Sequence, residues 1–450
     1  MGVSNKHERM IKLAAEFATE GVDSRYAGYF ALFNQQKFYE AHDVLEDLWL
    51  SDRKGVNGDF YKGLIQLAGA FVHLQKDRLR PSAVVFKLAQ ANLEKYPTTH
   101  ERLNLTVVQE LIARWLRQLE KDEFAVNPLH SGNVPYLALH NEAGRNEKRI
   151  VIAGGSGFIG TALAREFSKR GQAVVVLTRN PQKRADGVRE VAWDGEHAGE
   201  WIQYLDGAES VINLAGKNIN CPHTRKNLRQ IHASSVNSVF ALVAAIKQCK
   251  VPPRSWIQAS AVGYYGDTGD TPADESAPNG TNVLAQICHD WEEAAAISKL
   301  PLTRQVTLRI GFVLGRDGGA LPVLATLARF YLGGAAGDGR QYISWIHLAD
   351  LVQMFVAAVA DDNLSGVFNA AAPSPVTNVE FMQQLRRALH RPWSPPAPGW
   401  AVKLGAWLMR GESSLALASQ RCIPRRFVET GYQFRFGDLN VALRNLCRKP

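Results

Sequence analysis

Arg149-Ile-Val-Ile-Ala-Gly-Gly-Ser-Gly-Phe-Ile-Gly-Thr-Ala-Leu-Ala-Arg-Glu-Phe167 is the stretch that decides the fold of this 450-residue chain. Ile150, Val151 and Ile152 are β-branched and read as a buried strand. Gly155, Gly157 and Gly160 follow as G-x-G-x-x-G, and Ile159, Leu163 and Phe167 then recur every four residues, the spacing of one helix face. Gly171 ends that helix, and Ala173 to Leu177 make a second apolar strand. The unit is strand, glycine turn, helix, strand, which is the opening of a doubly wound parallel sheet, an α/β fold.

Such a turn is built for a doubly anionic group. Glycines let the backbone approach a pyrophosphate without a Cβ in the way, and the bare amides at a helix start favour negative charge. The expected contacts are Gly154, Gly155, Ser156, Gly157, Phe158, Ile159 and Gly160. The end of the second strand then selects the dinucleotide. A site for NAD places a carboxylate there for the ribose hydroxyl, whereas a 2′-phosphate needs a cation. This chain has Thr178, Arg179 and Asn180, followed by Lys183 and Arg184, so NADP(H) is the expected cofactor.

Composition narrows the rest. The chain is too long for one core and is expected to hold two or three domains. No apolar run reaches membrane-spanning length, and the polar first nine residues lack a secretory core, so a cytoplasmic location with no membrane partner is expected. Cys221, Cys249, Cys288, Cys422 and Cys447 show no C-x-x-C spacing and fit a reducing compartment. The net charge of +9 favours phosphate-bearing ligands. Without a basic run interleaved with aromatics, nucleic acid is not an expected partner; a small-molecule substrate is.

Residues 1–122 read as an all-α bundle. Phe38, Ala41, Leu45, Leu48 and Trp49 line one helix from about Gln36 to Leu50, and Tyr61, Leu64, Ile65, Ala68 and Val72 line the next. Two more are predicted near Pro81 to Lys95 and Leu105 to Lys121. His42, Glu46 and His73 sit beside these stripes. A hydrogen-bonded polar layer is the expected reading, with a metal or anion site as the alternative. The run from Phe33 to Trp49, with its E-A-H-x-x-L-E-x-x-W pattern, and the later run from Tyr61 to Leu74 resemble the helical family called domain of unknown function 309. That resemblance implies a fold but no activity.

Periodicity is lost over 123–147, a linker carrying Pro128, Gly132, Pro135 and Gly144, and the second domain spans 148–450. Ser210 to Gly216 is a strand ending in small residues, which makes Leu214, Ala215 and Gly216 backbone contacts for the dinucleotide. Trp256 to Gly266 delivers Ser260, then Tyr264 and Tyr265, to the same carboxyl edge of the sheet, where a serine and a tyrosine can hydrogen-bond a substrate carbonyl or hydroxyl. Gln305 to Phe312 is a further predicted strand, with Gly315, Gly318 and Gly319 after it, and His347 and Asp350 open a helix.

G-G-S-G-F-I-G, N-L-A-G, S-A-V-G-Y-Y-G, L-R-I-G-F-V-L-G, G-D-G-R-Q-Y-I-S-W-I-H-L-A-D-L-V, A-A-P-S-P-V-T-N-x-E-F and the R-C-I-P-R-R-F-V-E-T-G-Y-Q-F-R-F tail resemble an atypical branch of the extended short-chain dehydrogenase/reductases, the epimerase-family proteins. The resemblance runs from Arg149 to the C-terminus. It implies a Rossmann domain with a small substrate lobe, at about 318–345 and 373–450, into which Pro392, Pro395, Pro396 and Pro398 bend the chain. Ordinary members carry Tyr-x-x-x-Lys on a helix. Counting back from Glu292 puts Leu284 and Cys288 at those places, and neither can do that work. Tyr264 or Tyr265 is then the expected acid, helped by Lys217, Arg309 or the nicotinamide's positive charge, with His347 as second choice. The expected function is NADP(H)-dependent oxidoreduction of a small carbonyl/alcohol or nucleotide-linked substrate. A nucleotide-sensing regulatory protein without turnover, or a sugar-nucleotide epimerase, is the alternative.

Overall fold

The computed structural model describes residues 13–448 apart from 16, 18–21, 122, 131–132, 138, 140–147, 299, 392 and 400–416. Pro392, Gly132 and Gly144 therefore lie outside the described residues. Helices α1 (Ser24–Asn34), α2 (Phe38–Ser51), α3 (Gly58–Gln75), α4 (Leu79–Leu93) and α5 (Leu105–Lys121) make the N-terminal bundle, with a short antiparallel pair, β1 (Thr99–His100) and β2 (Leu103–Asn104), before α5. Each apolar stripe faces inward because taking apolar surface out of water stabilises the fold by roughly 25 cal/mol per Å². The face of α5 is Leu105, Val108, Leu111, Ile112, Trp115, Leu116 and Leu119. Trp115 meets Phe71 of α3 edge-on at 4.9 Å. Leu137 and Leu139, from the stretch expected to be linker, are buried in the same core.

The second part is built on strands β3 (Arg149–Ala153), β4 (Ala173–Thr178), β5 (Arg189–Ala192), β6 (Ser210–Asn213), β7 (Ser255–Ala261), β8 (Arg304–Ile310), β9 (Phe312–Leu314), β10 (Tyr342–Ile343), β11 (Trp345–His347), β12 (Gly366–Ala370) and β13 (Val376–Thr377). The helices with them are α6 (Phe158–Lys169), α7 (Arg225–Ile246), α8 (Val283–Ala296), α9 (Leu321–Arg329), α10 (Leu348–Ala360), α11 (Asn378–Ala388), α12 (Arg425–Glu429) and α13 (Leu439–Cys447). Among the described residues, seven parallel strands form one sheet in the order β12-β8-β7-β6-β3-β4-β5. The order reverses direction at β3, so the glycine turn opens at the switch point where ligands of such sheets bind.

Alternation along the strands serves two cores. Ile150 and Ile152 of β3 pack with Leu163 and Phe167 of α6 and Leu351 and Phe355 of α10, whereas Val151 and Ala153 pack with Val239 and Leu242 of α7 and Ala294 and Ala295 of α8. Both faces are covered, as an all-parallel sheet requires.

The single strand predicted from Gln305 to Phe312 is two strands. A Cβ on Gly311 would stand 2.5 Å from the Ser344 carbonyl oxygen, and at this close approach the chain leaves the main sheet; β9 then pairs in parallel with β11 instead. Beyond it, Leu321 and Ala328 of α9, Phe381 and Leu385 of α11 and Leu439 and Leu443 of α13 build a smaller core. Phe427 of α12 belongs instead to the main core beneath the sheet. Among the described residues, no helix is long and apolar enough to cross a membrane.

Candidate functional site

The head of α6 is a cradle that side chains would fill. Gly154 has φ of +72°, and a Cβ there would lie 2.9 Å from the Ala215 amide nitrogen. A Cβ on Gly160 would come within 2.4 Å of the Gly155 Cα, so helix and turn approach as closely as backbone allows. Gly157 differs, since its nearest neighbour would be the Gly154 carbonyl oxygen at 3.7 Å. Gly157 caps α6 with no side-chain hydrogen bond, which leaves the helix head without a competing acceptor. The next residue, Phe158, points its ring the other way: Cβ atoms on Gly315 or Gly318 would strike it at 2.3 Å. Ile159 packs partly buried on the main core.

The ends of β4 and β6 flank this cradle. Thr178 is buried and donates its hydroxyl to Ser156 Oγ at 3.0 Å, tying the glycine turn to the second strand. Arg179, the next residue, is exposed. Arg184 is held by Asp186 at 2.6 Å and Glu190 at 3.4 Å. At β6, Asn213 is fully buried. It donates to Gln258 Oε1 at 3.0 Å and accepts from the Ala215 amide at 3.0 Å, which fixes the Leu214–Ala215 corner against Gly154. The Asn213–Gln258 pair was not picked out from sequence; an amide in the apolar run S-V-I-N was its signal. The residues present fit a dinucleotide pyrophosphate at the head of α6.

Three of the expected catalytic residues meet at the end of β7. Ser260 donates its hydroxyl to Glu292 Oε1 of α8 at 2.5 Å. Arg309, at the end of β8, donates to both carboxylate oxygens of Glu292, at 2.9 and 2.8 Å. Its third nitrogen donates to the Tyr265 hydroxyl at 2.8 Å, and that hydroxyl donates to Asn369 Oδ1 of β12 at 2.7 Å. Tyr264 lies on the guanidinium, its ring centroid 3.4 Å from Cζ. The two tyrosines therefore differ. Tyr265 is buried with its hydroxyl fully engaged. Tyr264 is only partly buried, and burial raises its hydroxyl above the ordinary tyrosine value while Arg309 pulls the other way.

Other expected helpers are occupied elsewhere. Lys217 donates to Asn227 at 2.8 Å and Gln230 at 2.5 Å. His347 accepts the Ala349 amide at Nδ1, 3.0 Å away, and lies 3.9 Å from the Phe436 ring, so it caps α10 and packs. Cys288 is buried, and burial pushes its thiol up to about 12, far from a nucleophilic thiolate. Leu284, Cys288 and Glu292 do share one face of α8, and only the glutamate brings a charge to the Ser260–Arg309 cluster. Among the described residues of the helical domain, those close enough to share a cation, with ligand atoms within 4.8 Å of one another, are His42, Asp43 and Glu46. His73 is not among them.

Three family models match the chain. One described as domain of unknown function (DUF309) matches residues 26–85, the NAD dependent epimerase/dehydratase family matches 150–371, and a domain of unknown function (DUF1731) matches 397–446. Human epimerase family protein SDR39U1 is 36% identical over 304 residues, which is 66% of this chain and 99% of the human protein. Epimerase family protein YfhF of Bacillus subtilis is 34% identical, covering 66% and 97%. The crystal structure of human SDR39U1 with NADPH resembles this chain with a TM-score of 0.60 at 34% identity, covering 66% and 99%. A nucleoside-diphosphate sugar epimerase from Corynebacterium glutamicum does so with a TM-score of 0.53 at 28% identity, covering 77% of this chain and 64% of that one. With a glycine cradle at the sheet's switch point and relatives matched over nearly their whole length, this chain belongs to the NAD-dependent epimerase/dehydratase family, among the SDR39U1-like epimerase family proteins, and carries a DUF309 domain in front.

Proposed function

We propose that this chain is an NADP(H)-dependent oxidoreductase that reduces or oxidises a small carbonyl/alcohol or nucleotide-linked substrate in the cytoplasm. The observation that carries the reading is the cradle of Gly154, Gly155, Ser156, Gly157 and Gly160 beside an exposed Arg179, with no carboxylate at the end of β4. Backbone from Phe158, Ile159, Leu214 and Ala215 completes the binding surface. Thr178 fixes the Ser156 corner, and Arg179 meets the 2′-phosphate. Human SDR39U1, crystallised with NADPH, supports the choice of cofactor.

Bound there, NADPH supplies the hydride. The matching proton is assigned to Tyr264: a phenol, ordinarily titrating at pH ~10, is protonated at neutral pH and can donate to a developing alkoxide, and Arg309 against its ring opposes the rise that burial causes. Ser260 has given its hydrogen to Glu292 and acts as an acceptor that orients a substrate hydroxyl. Tyr265 holds the guanidinium in place.

One observation favours the second reading, a sensor without turnover: Leu284 and Cys288 stand where family members use tyrosine and lysine. Purified protein incubated with NADPH and a panel of carbonyl compounds separates the two. Oxidation of NADPH that is abolished in Tyr264→Phe, with nucleotide binding retained, supports the enzyme. Tight binding with no consumption, in wild type and variant alike, supports the sensor.

A further inference from the structure

The helical domain is docked at the amino ends of β8 and β12, two of the three strands whose carboxyl ends carry the polar cluster. Leu302, just ahead of β8, is buried in the helical domain's core. Next to it, the Thr303 carbonyl accepts the Tyr136 hydroxyl at 2.5 Å. The Tyr136 segment is itself gripped by α1: Asn34 donates to the Leu137 carbonyl at 2.7 Å and accepts the Leu137 amide at 2.9 Å. At the start of β12, a Cβ on Gly366 would meet Arg426 at 3.3 Å and Val134 at 3.9 Å.

From there a continuous run of contacts reaches Ser260. Arg426 donates to the carbonyls of Ser365 at 2.9 Å and Val367 at 2.6 Å, bracketing the start of β12, and its amide donates to Glu275 at 3.3 Å. Glu275 accepts the Asn369 amide at 2.9 Å. Asn369 accepts from Tyr265, Tyr265 from Arg309, and Arg309 pairs with Glu292, which takes the Ser260 hydroxyl. Across the boundary, burial and then the charge of Arg114 of α5 hold Arg426 below the ordinary arginine range. Strand β8 joins the same two places directly, with Thr303 before its start and Arg309 near its end.

We infer that the helical domain is a clamp on the active edge: docked through Tyr136, Leu137 and Leu302, it holds β8 and β12 so that Arg309 and Asn369 keep Tyr265 and Glu292 in place. The inference rests on the reading of Ser260 and Tyr264 as the reacting end. Because β8 and β12 run from the dock to the cluster, loosening one end is expected to loosen the other, and by linkage the coupling acts equally in both directions. A small change at the dock is transmitted because a strand in a close-packed sheet moves as a unit.

Amide hydrogen exchange on the full chain tests this, comparing wild type with Tyr136→Phe and Asn34→Ala, and with Lys95→Ala as a control that breaks only exposed contacts, with Asp59 and Asn92. The expected result is faster exchange by about tenfold, the scale of one lost hydrogen bond, at 260–266 and 366–370 in both dock variants and at neither segment in the control. Acceleration confined to 133–139 and 302–304 in both variants overturns the clamp. NADPH affinity should change by less than about twofold in the same variants, because the cradle on β3 lies three strands from β8. Failure of wild-type protein to bind NADPH would remove the proposed function, while the exchange pattern would still decide the clamp.

Discussion

Arg309 holds Glu292 at two points, Nε to Oε1 at 2.9 Å and Nη2 to Oε2 at 2.8 Å, and both side chains are at least nine-tenths buried. Such a pair is costly to take out of water and persists only when its remaining hydrogen-bonding groups are satisfied. Here Ser260 and Tyr265 satisfy them. Glu292→Gln should therefore lower stability by about 3 kcal/mol, because a guanidinium is left buried without its counter-charge. Urea unfolding followed by circular dichroism measures it; an unchanged midpoint would show that the pair contributes little.

Gly157 separates binding from folding. Its φ of −77° suits any residue, and an added methyl meets nothing closer than 3.7 Å. Gly157→Ala should melt within about 1 kcal/mol of wild type yet lose about tenfold or more in NADPH affinity, since the methyl enters the space reserved for the pyrophosphate. Gly160→Ala should fail to fold normally, its Cβ being 2.4 Å from backbone.

Arg179→Ala should weaken NADPH by about tenfold or more and leave NADH nearly unaffected, the usual scale for a charge-assisted contact to a phosphate. Fluorescence titration with the two nucleotides provides the comparison. Equal losses would assign the 2′-phosphate to other residues.

His347 should make stability depend on pH. Burial holds it below the ordinary histidine value of 6.5, and its Nδ1 must stay unprotonated to accept the Ala349 amide. The unfolded chain therefore takes up the proton first. The contribution is complete above 6.5 and is lost as pH falls through the lower folded value. Urea midpoints should drop between about pH 7 and about pH 5, and His347→Asn, which keeps a cap acceptor, should flatten the drop.

Much of this was legible in one dimension. The resemblance to a known family is what made the missing Tyr-x-x-x-Lys pair visible. The βαβ unit, the glycine turn and the helical face of α5 follow from local spacing, because strand and helix periods and backbone access to an anion are properties of neighbouring residues. Ser260 and Tyr264 were placed at the right sheet edge for the same reason. Arg309 was one of the candidate helpers in the sequence, but its pairing with Glu292 and Tyr265 needed a fold. It is 17 residues from Glu292 and 44 from Tyr265, and neither separation is a helical or strand repeat.

The amino-acid sequence by itself determined the α/β class and the cradle at α6, since each is written in residues a few positions apart. Only the tertiary structure decided which tyrosine is engaged, that Gly311 divides a predicted strand in two, and that the supposed linker plugs Leu137 into the helical core. Those outcomes depend on which distant elements come to lie side by side, and burial and pairing across such contacts are set by packing of the whole chain rather than by local preference.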